Sequence, residues 1–129
     1  MADSRIYIIP TLLLLLGTFI YITCRQDAFL VSILPQSLLD MVTIKSIPKD
    51  NVICMFLLYN LPDGLWYSSL ILFQYSINSY KYVLNISYAL PFILEFLQYF
   101  HFINGTFCFI DLLTYLLTFI ILKLCLKKQ

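Results

Sequence analysis

The sequence predicts an all-α integral membrane protein, a four-helix bundle with an interfacial segment between its first and second spans. Three observations predict it. Apolar residues make up 61% of the 129 and charged residues only 12%, against about 45–50% and 25% in soluble domains, which leaves too little polar surface to cover a water-soluble globule. Long uncharged runs recur, the first of them Ile6 to Cys24. Glu, Gln, His and Asp gather between Pro91 and Tyr115, where a carboxylate at bilayer depth costs at least about 2.5–3.5 kcal/mol and marks a functional candidate.

The net charge of +1 gives no bulk attraction for nucleic acid, so nucleic acid is not an expected partner. At this length a single membrane domain, 1–129, is expected. Cys24, Cys54, Cys108 and Cys125 show no CxxC and no paired histidines, so no metal site is predicted and no cofactor pattern is present. They read as small buried hydrophobes. A disulfide among Cys24, Cys54 and Cys108, which fall near one membrane face, is the alternative.

Span one, residues 6–24, is nineteen uncharged residues between Arg5 and Arg25, long enough to cross a core of about 30 Å. A signal peptide competes with this reading, but the apolar run is long for one and no A-x-A cleavage site follows. Residues 25–60 are interrupted by Asp27, Pro35, Asp40, Lys45, Pro48 and Asp50, and read as an extramembrane connection lying on the interface. Within it, Ser37 as N-cap predicts a short helix to about Ile44, resting Leu38, Leu39 and Met41 on the membrane surface.

Asn60 can cap a helix, Pro62 suits a first turn, and Asp63 complements the positive end of the dipole. These predict span two over 61–77, with Val52 to Tyr59 a short helix leading into it. One long helix kinked near Pro62 is the alternative. Asn78 to Lys81 turns the chain into span three, 82–101, which Pro91 can kink because it leaves the Ser87 carbonyl without its usual donor. Asn104-Gly105 signals the next turn, and span four follows over 107–126.

Four spans place both termini on one side. That side carries Arg5, Lys81, Lys123, Lys127 and Lys128, the other Arg25, Lys45 and Lys49, so the positive-inside rule puts the termini in the cytoplasm. Asp63, Glu95, Gln98 and Asp111 then converge at the external end, with His101, Gly105 and Thr106 just above them. Glu95 and Gln98 share a helix face, as do Asp111, Thr118 and either Thr114 or Tyr115. An outward-opening polar pocket is expected, with Trp66, Tyr99, Phe102 and Phe107 on its apolar approach.

Glu95-Phe-Leu-Gln98, Gly105-Thr106 and Asp111, with Pro62-Asp63-Gly-Leu-Trp66-Tyr67 opening an earlier span, resemble the VanZ-like membrane proteins of bacteria over roughly residues 60 to 122. The resemblance is to short forms of the Bacteroidetes type. Gly64 and Tyr67 stand where that family often has Lys and His, and Tyr115 where it often has Asn, so roles needing those side chains do not carry over. The resemblance implies a bacterial inner-membrane location and an envelope or glycopeptide-antibiotic resistance role.

Four uses of the polar residues follow. They can hydrogen-bond across helices and fix their packing, for about 0.6–2 kcal/mol each, as in an accessory subunit with a membrane-protein partner. They can bind a lipid-linked or amphiphilic ligand through Asp63, Trp66, Glu95, Gln98, His101, Gly105, Thr106 and Asp111. They can carry protons in a coupled transporter, although no acid chain continues to the cytoplasmic side. Paired carboxylates can also serve as acid and base, but no nucleophilic triad, metal spacing or phosphate-binding loop is present, so an enzyme is the least supported reading.

Overall fold

The computed structural model describes residues 7–24, 35–42, 52–103 and 107–126. Among these the regular structure is helical throughout: α1 (Ile8–Cys24), α2 (Gln36–Val42), α3 (Val52–Tyr59), α4 (Leu61–Ser76), α5 (Lys81–Tyr99) and α6 (Phe109–Leu126). The predicted second, third and fourth spans coincide with α4, α5 and α6 to within about two residues at each end.

Two local expectations change in detail. α2 starts one residue before Ser37, because the Pro35 carbonyl accepts the first bonds, from the N–H groups of Leu38 at 3.0 Å and Leu39 at 3.3 Å. The capping position therefore falls on Pro35. Asn60 separates α3 from α4 but keeps helical dihedrals, φ −103° and ψ −29°, and its side chain makes no capping bond. Helical backbone bonds run through it, Asn60 N–H to Phe56 and Gly64 N–H to Asn60. The two sequence alternatives therefore meet: the helix is interrupted at Asn60 while its bonding pattern continues.

Both α4 and α5 end the same way. Asn78 (φ 51°) and His101 (φ 59°) take left-handed dihedrals. Asn78 N–H bonds Tyr75 and Ser79 N–H bonds Gln74; His101 N–H bonds Gln98 and Phe102 N–H bonds Leu97. This is the Schellman arrangement, which satisfies the last carbonyls of a helix. It is why both chains turn where they do.

α4 is the hub. It packs on α1 along one side and on α5 and α6 along another, while α1 makes its main contacts with α4, α3 and α2. Small residues allow the close approach: a Cβ on Gly17 would stand 2.9 Å from Trp66 Cδ1, and one on Gly64 would stand 3.1 Å from Thr114 Cγ2. Across the α1–α4 contact, Ser69 Oγ donates to the Pro10 carbonyl at 2.7 Å and Trp66 Nε1 donates to Thr18 Oγ1 at 3.2 Å. Both bonds tie α1 to α4 in addition to their packing.

The core lies among α4, α5 and α6, around Tyr67, Ile71, Tyr88 and Leu122. α5 runs through Pro91 as one helix. One residue beyond the carbonyl that Pro91 cannot serve, the Tyr88 carbonyl accepts the Tyr67 hydroxyl at 3.1 Å. At the far end Lys123 Nζ lies 5.0 Å from the Tyr88 ring centre and 5.5 Å from that of Phe119, a cation–π contact tying α6 to α5.

The outer surface is apolar. Leu12, Leu15 and Phe19 on α1, and Leu117, Ile121 and Leu124 on α6, each keep 57–62% of their surface exposed. Among the described residues, α6 is the one helix both long and apolar enough to cross a membrane. α1 is apolar throughout but extends for 17 described residues.

Candidate functional site

The N-termini of α4 and α6 and the C-terminus of α5 meet at one end of the bundle, and the polar residues meet there with them. Asp63 lies in the first turn of α4 and Asp111 in the first turn of α6. Each carboxylate complements the partial positive charge of its own helix start. Glu95 comes from the penultimate turn of α5.

Glu95 and Asp111 are turned inward, 5% and 9% exposed. The Asp111 carboxylate accepts a hydrogen bond from Nδ2 of Asn60, itself 6% exposed. Glu95 Oε2 accepts the backbone N–H of Cys108 at a long 3.4 Å, and the Cys108 carbonyl receives the first bond of α6. So Glu95 serves one of the N–H groups that a helix start leaves without an intrahelical partner. Thr114, one turn on, is buried and returns its hydroxyl to the Ile110 carbonyl at 2.9 Å.

Beside this buried group a cleft of about 170 Å³ opens between α4 and α5. Asp63, Trp66, Tyr67 and Leu70 form its α4 wall, a spacing of i, i+3, i+4 and i+7 that places them on one helix face. Leu90, Pro91 and Leu94 form the α5 wall, and Tyr115 of α6 closes the back. Tyr67 and Tyr115 meet edge to face at 5.8 Å. The walls are almost wholly apolar, and Asp63 supplies the carboxylate.

The described residues among the eight singled out from the sequence fall in different places. Asp63 and Trp66 line the cleft. Trp66 also packs on the other side, against Gly17 and with its ring 4.9 Å from that of Tyr21. Glu95 and Asp111 belong to the buried group. Gln98 is half-buried in the last turn of α5, and His101 is exposed at the helix end. Gly105 and Thr106 lie outside the described residues. Of the aromatics expected on the approach, Tyr99 stacks with Phe100 and Phe107, both at 5.2 Å, and Phe102 is exposed.

Sequence reasoning missed Asn60 as a partner of Asp111, Cys108 as a backbone donor to Glu95, and Tyr67 and Tyr115 as cleft walls. A signal existed for Tyr67, which shares a face with Asp63 and Leu70. None existed for Asn60, whose reach to Asp111 crosses 51 residues. Among the described residues no group of His, Cys, Asp and Glu is arranged to hold a metal ion. Cys24, Cys108 and Cys125 are free thiols. Comparison with family models, with characterised proteins and with solved structures finds no match to this chain.

Proposed function

We propose that this chain is a multi-pass membrane protein of the bacterial envelope that receives part of an amphiphilic or lipid-linked ligand in the cleft below Asp63. On this reading α1, α4, α5 and α6 cross the bilayer with both termini in the cytoplasm, and the end holding Asn60, Glu95 and Asp111 faces outward. The cleft itself carries the proposal: apolar walls that run along two turns of α4, with one carboxylate at the end nearest the polar group. A cavity of about 150 Å³ accommodates a molecule the size of benzene, so a head group or the tip of an acyl chain enters while the bulk of a larger ligand stays outside.

The exposed leucines and phenylalanines of α1 and α6 support lipid surroundings, since apolar patches of that extent are rare on water-soluble monomers. The VanZ-like pattern of Asp63, Glu95, Gln98 and Asp111 supports an envelope role, with glycopeptide-antibiotic resistance as its extension. A second reading is favoured by the bonds from Asn60 to Asp111 and from Cys108 to Glu95. These use the two carboxylates as ties between helix ends, as an accessory subunit of a larger membrane complex would.

The test places single cysteines at Asp63, Lys81 and His101 in a cysteine-free chain, and labels intact cells with a membrane-impermeant maleimide. Positions 63 and 101 are expected to label from outside and position 81 only after lysis, with an amphiphile slowing the reaction at 63. Labelling of 81 alone would reverse the orientation. Unchanged labelling of 63 at saturating amphiphile would remove the cleft as a binding site.

A further inference from the structure

The cleft also distinguishes the two ends of an amphiphile, and the inference rests on the binding reading just given. We infer that it takes a short length of one hydrocarbon chain, entering sideways from the membrane, and leaves the head group outside. The mouth is the first observation. Leu90 and Leu94, one turn apart on α5, line the cleft and are also exposed on the outer surface. With Ile86 they form a stripe of exposed apolar side chains at i, i+4 and i+8 along α5, and residues so spaced share a helix face. The cleft therefore opens onto a face that meets lipid when α5 spans the bilayer, and a chain already in the membrane reaches it without crossing water.

What the walls offer is the second observation. The Tyr67 hydroxyl donates to the Tyr88 carbonyl and the Trp66 Nε1 to Thr18, and Asp63 and Tyr115 are engaged within the protein as well. Pro91 has no N–H to give. A head group of any charge would exchange its water for walls whose polar tips are already in use, which carries the cost of burying an unpaired polar group. A hydrocarbon chain has no such need, and gains dispersion contacts from Leu70, Leu90, Leu94 and the ring faces along its length. The bonds at the polar tips also hold the rings in place beforehand, which lowers the ordering cost of binding. The cleft volume of about 170 Å³ is close to the roughly 150 Å³ that holds one benzene, or about six carbons. That is room for part of one chain and not for two chains or a fused ring system.

Trp66 is the chain's single tryptophan, so the cleft contains its own probe. The full-length protein is held in digitonin micelles, whose steroid body exceeds the room for one chain. Tryptophan emission is followed on titration with octyl glucoside, octyltrimethylammonium and octyl sulfate, and with their chainless counterparts methyl glucoside, tetramethylammonium and methyl sulfate. Saturable changes are expected with all three octyl compounds, at affinities within about threefold of one another once referred to amphiphile in the micelle, and with none of the chainless head groups. Leu94→Phe, which adds bulk at the mouth, should weaken the octyl response about tenfold or more. A wider spread among the octyl compounds, or a saturable response to a chainless head group, would show the head group entering and overturn the inference while leaving a binding cleft. An unweakened response in folded Leu94→Phe protein would place the chain elsewhere and overturn it too. No saturable response to any compound would overturn the cleft reading itself. The comparison among compounds uses the unaltered chain, so it decides the matter even if the variant fails to fold.

Discussion

The side-chain amide of Asn60, at the interruption between α3 and α4, donates a hydrogen bond to the Asp111 carboxylate in the first turn of α6. Both residues are buried, and 51 positions of chain separate them. This bond joins the starts of two parallel helices and fixes their relative height. Gly64, one turn further along α4, then lies against Thr114, one turn further along α6. The cleft that Asp63 shares with Tyr115 has its shape because that register is held.

Removing either partner leaves the other buried without its bond, which costs about 1–3 kcal/mol and more for a charged group. Asn60→Ala and Asp111→Ala should each lower stability by that order in denaturant unfolding from micelles. The double variant should lose clearly less than the two single losses together. Strict additivity would show that the residues do not act on each other.

Gly17 and Gly64 set the spacing of α4 against its neighbours. Gly17→Ala places a methyl group 2.9 Å from the Trp66 indole, so the ring must shift; a loss of about 1–3 kcal/mol and a displaced emission maximum are expected. Gly64→Leu should be worse than Gly64→Ala, because Thr114 and Thr118 both stand within 3.3 Å of the first added carbon. An unmoved emission spectrum in Gly17→Ala would contradict the indole contact.

Tyr67→Phe keeps the ring and deletes the donor to Tyr88. The expected cost is about 0.6–2 kcal/mol, since the Tyr88 carbonyl lies in an apolar interior beside Pro91. Amphiphile binding in the cleft should change by less than a few-fold, because the ring face remains. A large loss of binding with unchanged stability would give the hydroxyl a ligand-contacting role.

His101 occupies a left-handed backbone position with its side chain exposed. Glycine is the residue that adopts this conformation without steric cost, so His101→Gly should be neutral or stabilising by about 0.5–1 kcal/mol. Amphiphile binding should be unaltered. A binding defect in this variant would return the imidazole to the site.

Much of the helical layout was legible because its signals are local. Pro62 at a first turn, Asn78 before a charged restart, and the long, mostly apolar run after Phe107 are each decided by a few neighbouring residues. Asp63 and Trp66 were singled out from the opening of span two, but the face they share with Tyr67 and Leu70 was not read. The inward turn of Glu95 and Asp111 was not legible. A polar residue in an apolar run signals only that something must satisfy it, whether a ligand, water or another helix.

By itself the sequence determined that the chain is helical, where α4, α5 and α6 begin and end, and which of their ends carry the polar groups. Those properties follow from backbone geometry and residue type within a turn or two. Only the tertiary structure decided that Asn60 answers Asp111 and the Cys108 N–H answers Glu95. It also decided that the open cleft therefore belongs to Asp63 and the aromatic rings. Hydrogen bonds between distant segments depend on how helices are placed side by side, and the side-chain volumes of Gly17, Gly64 and Trp66 fix that placement through close contact.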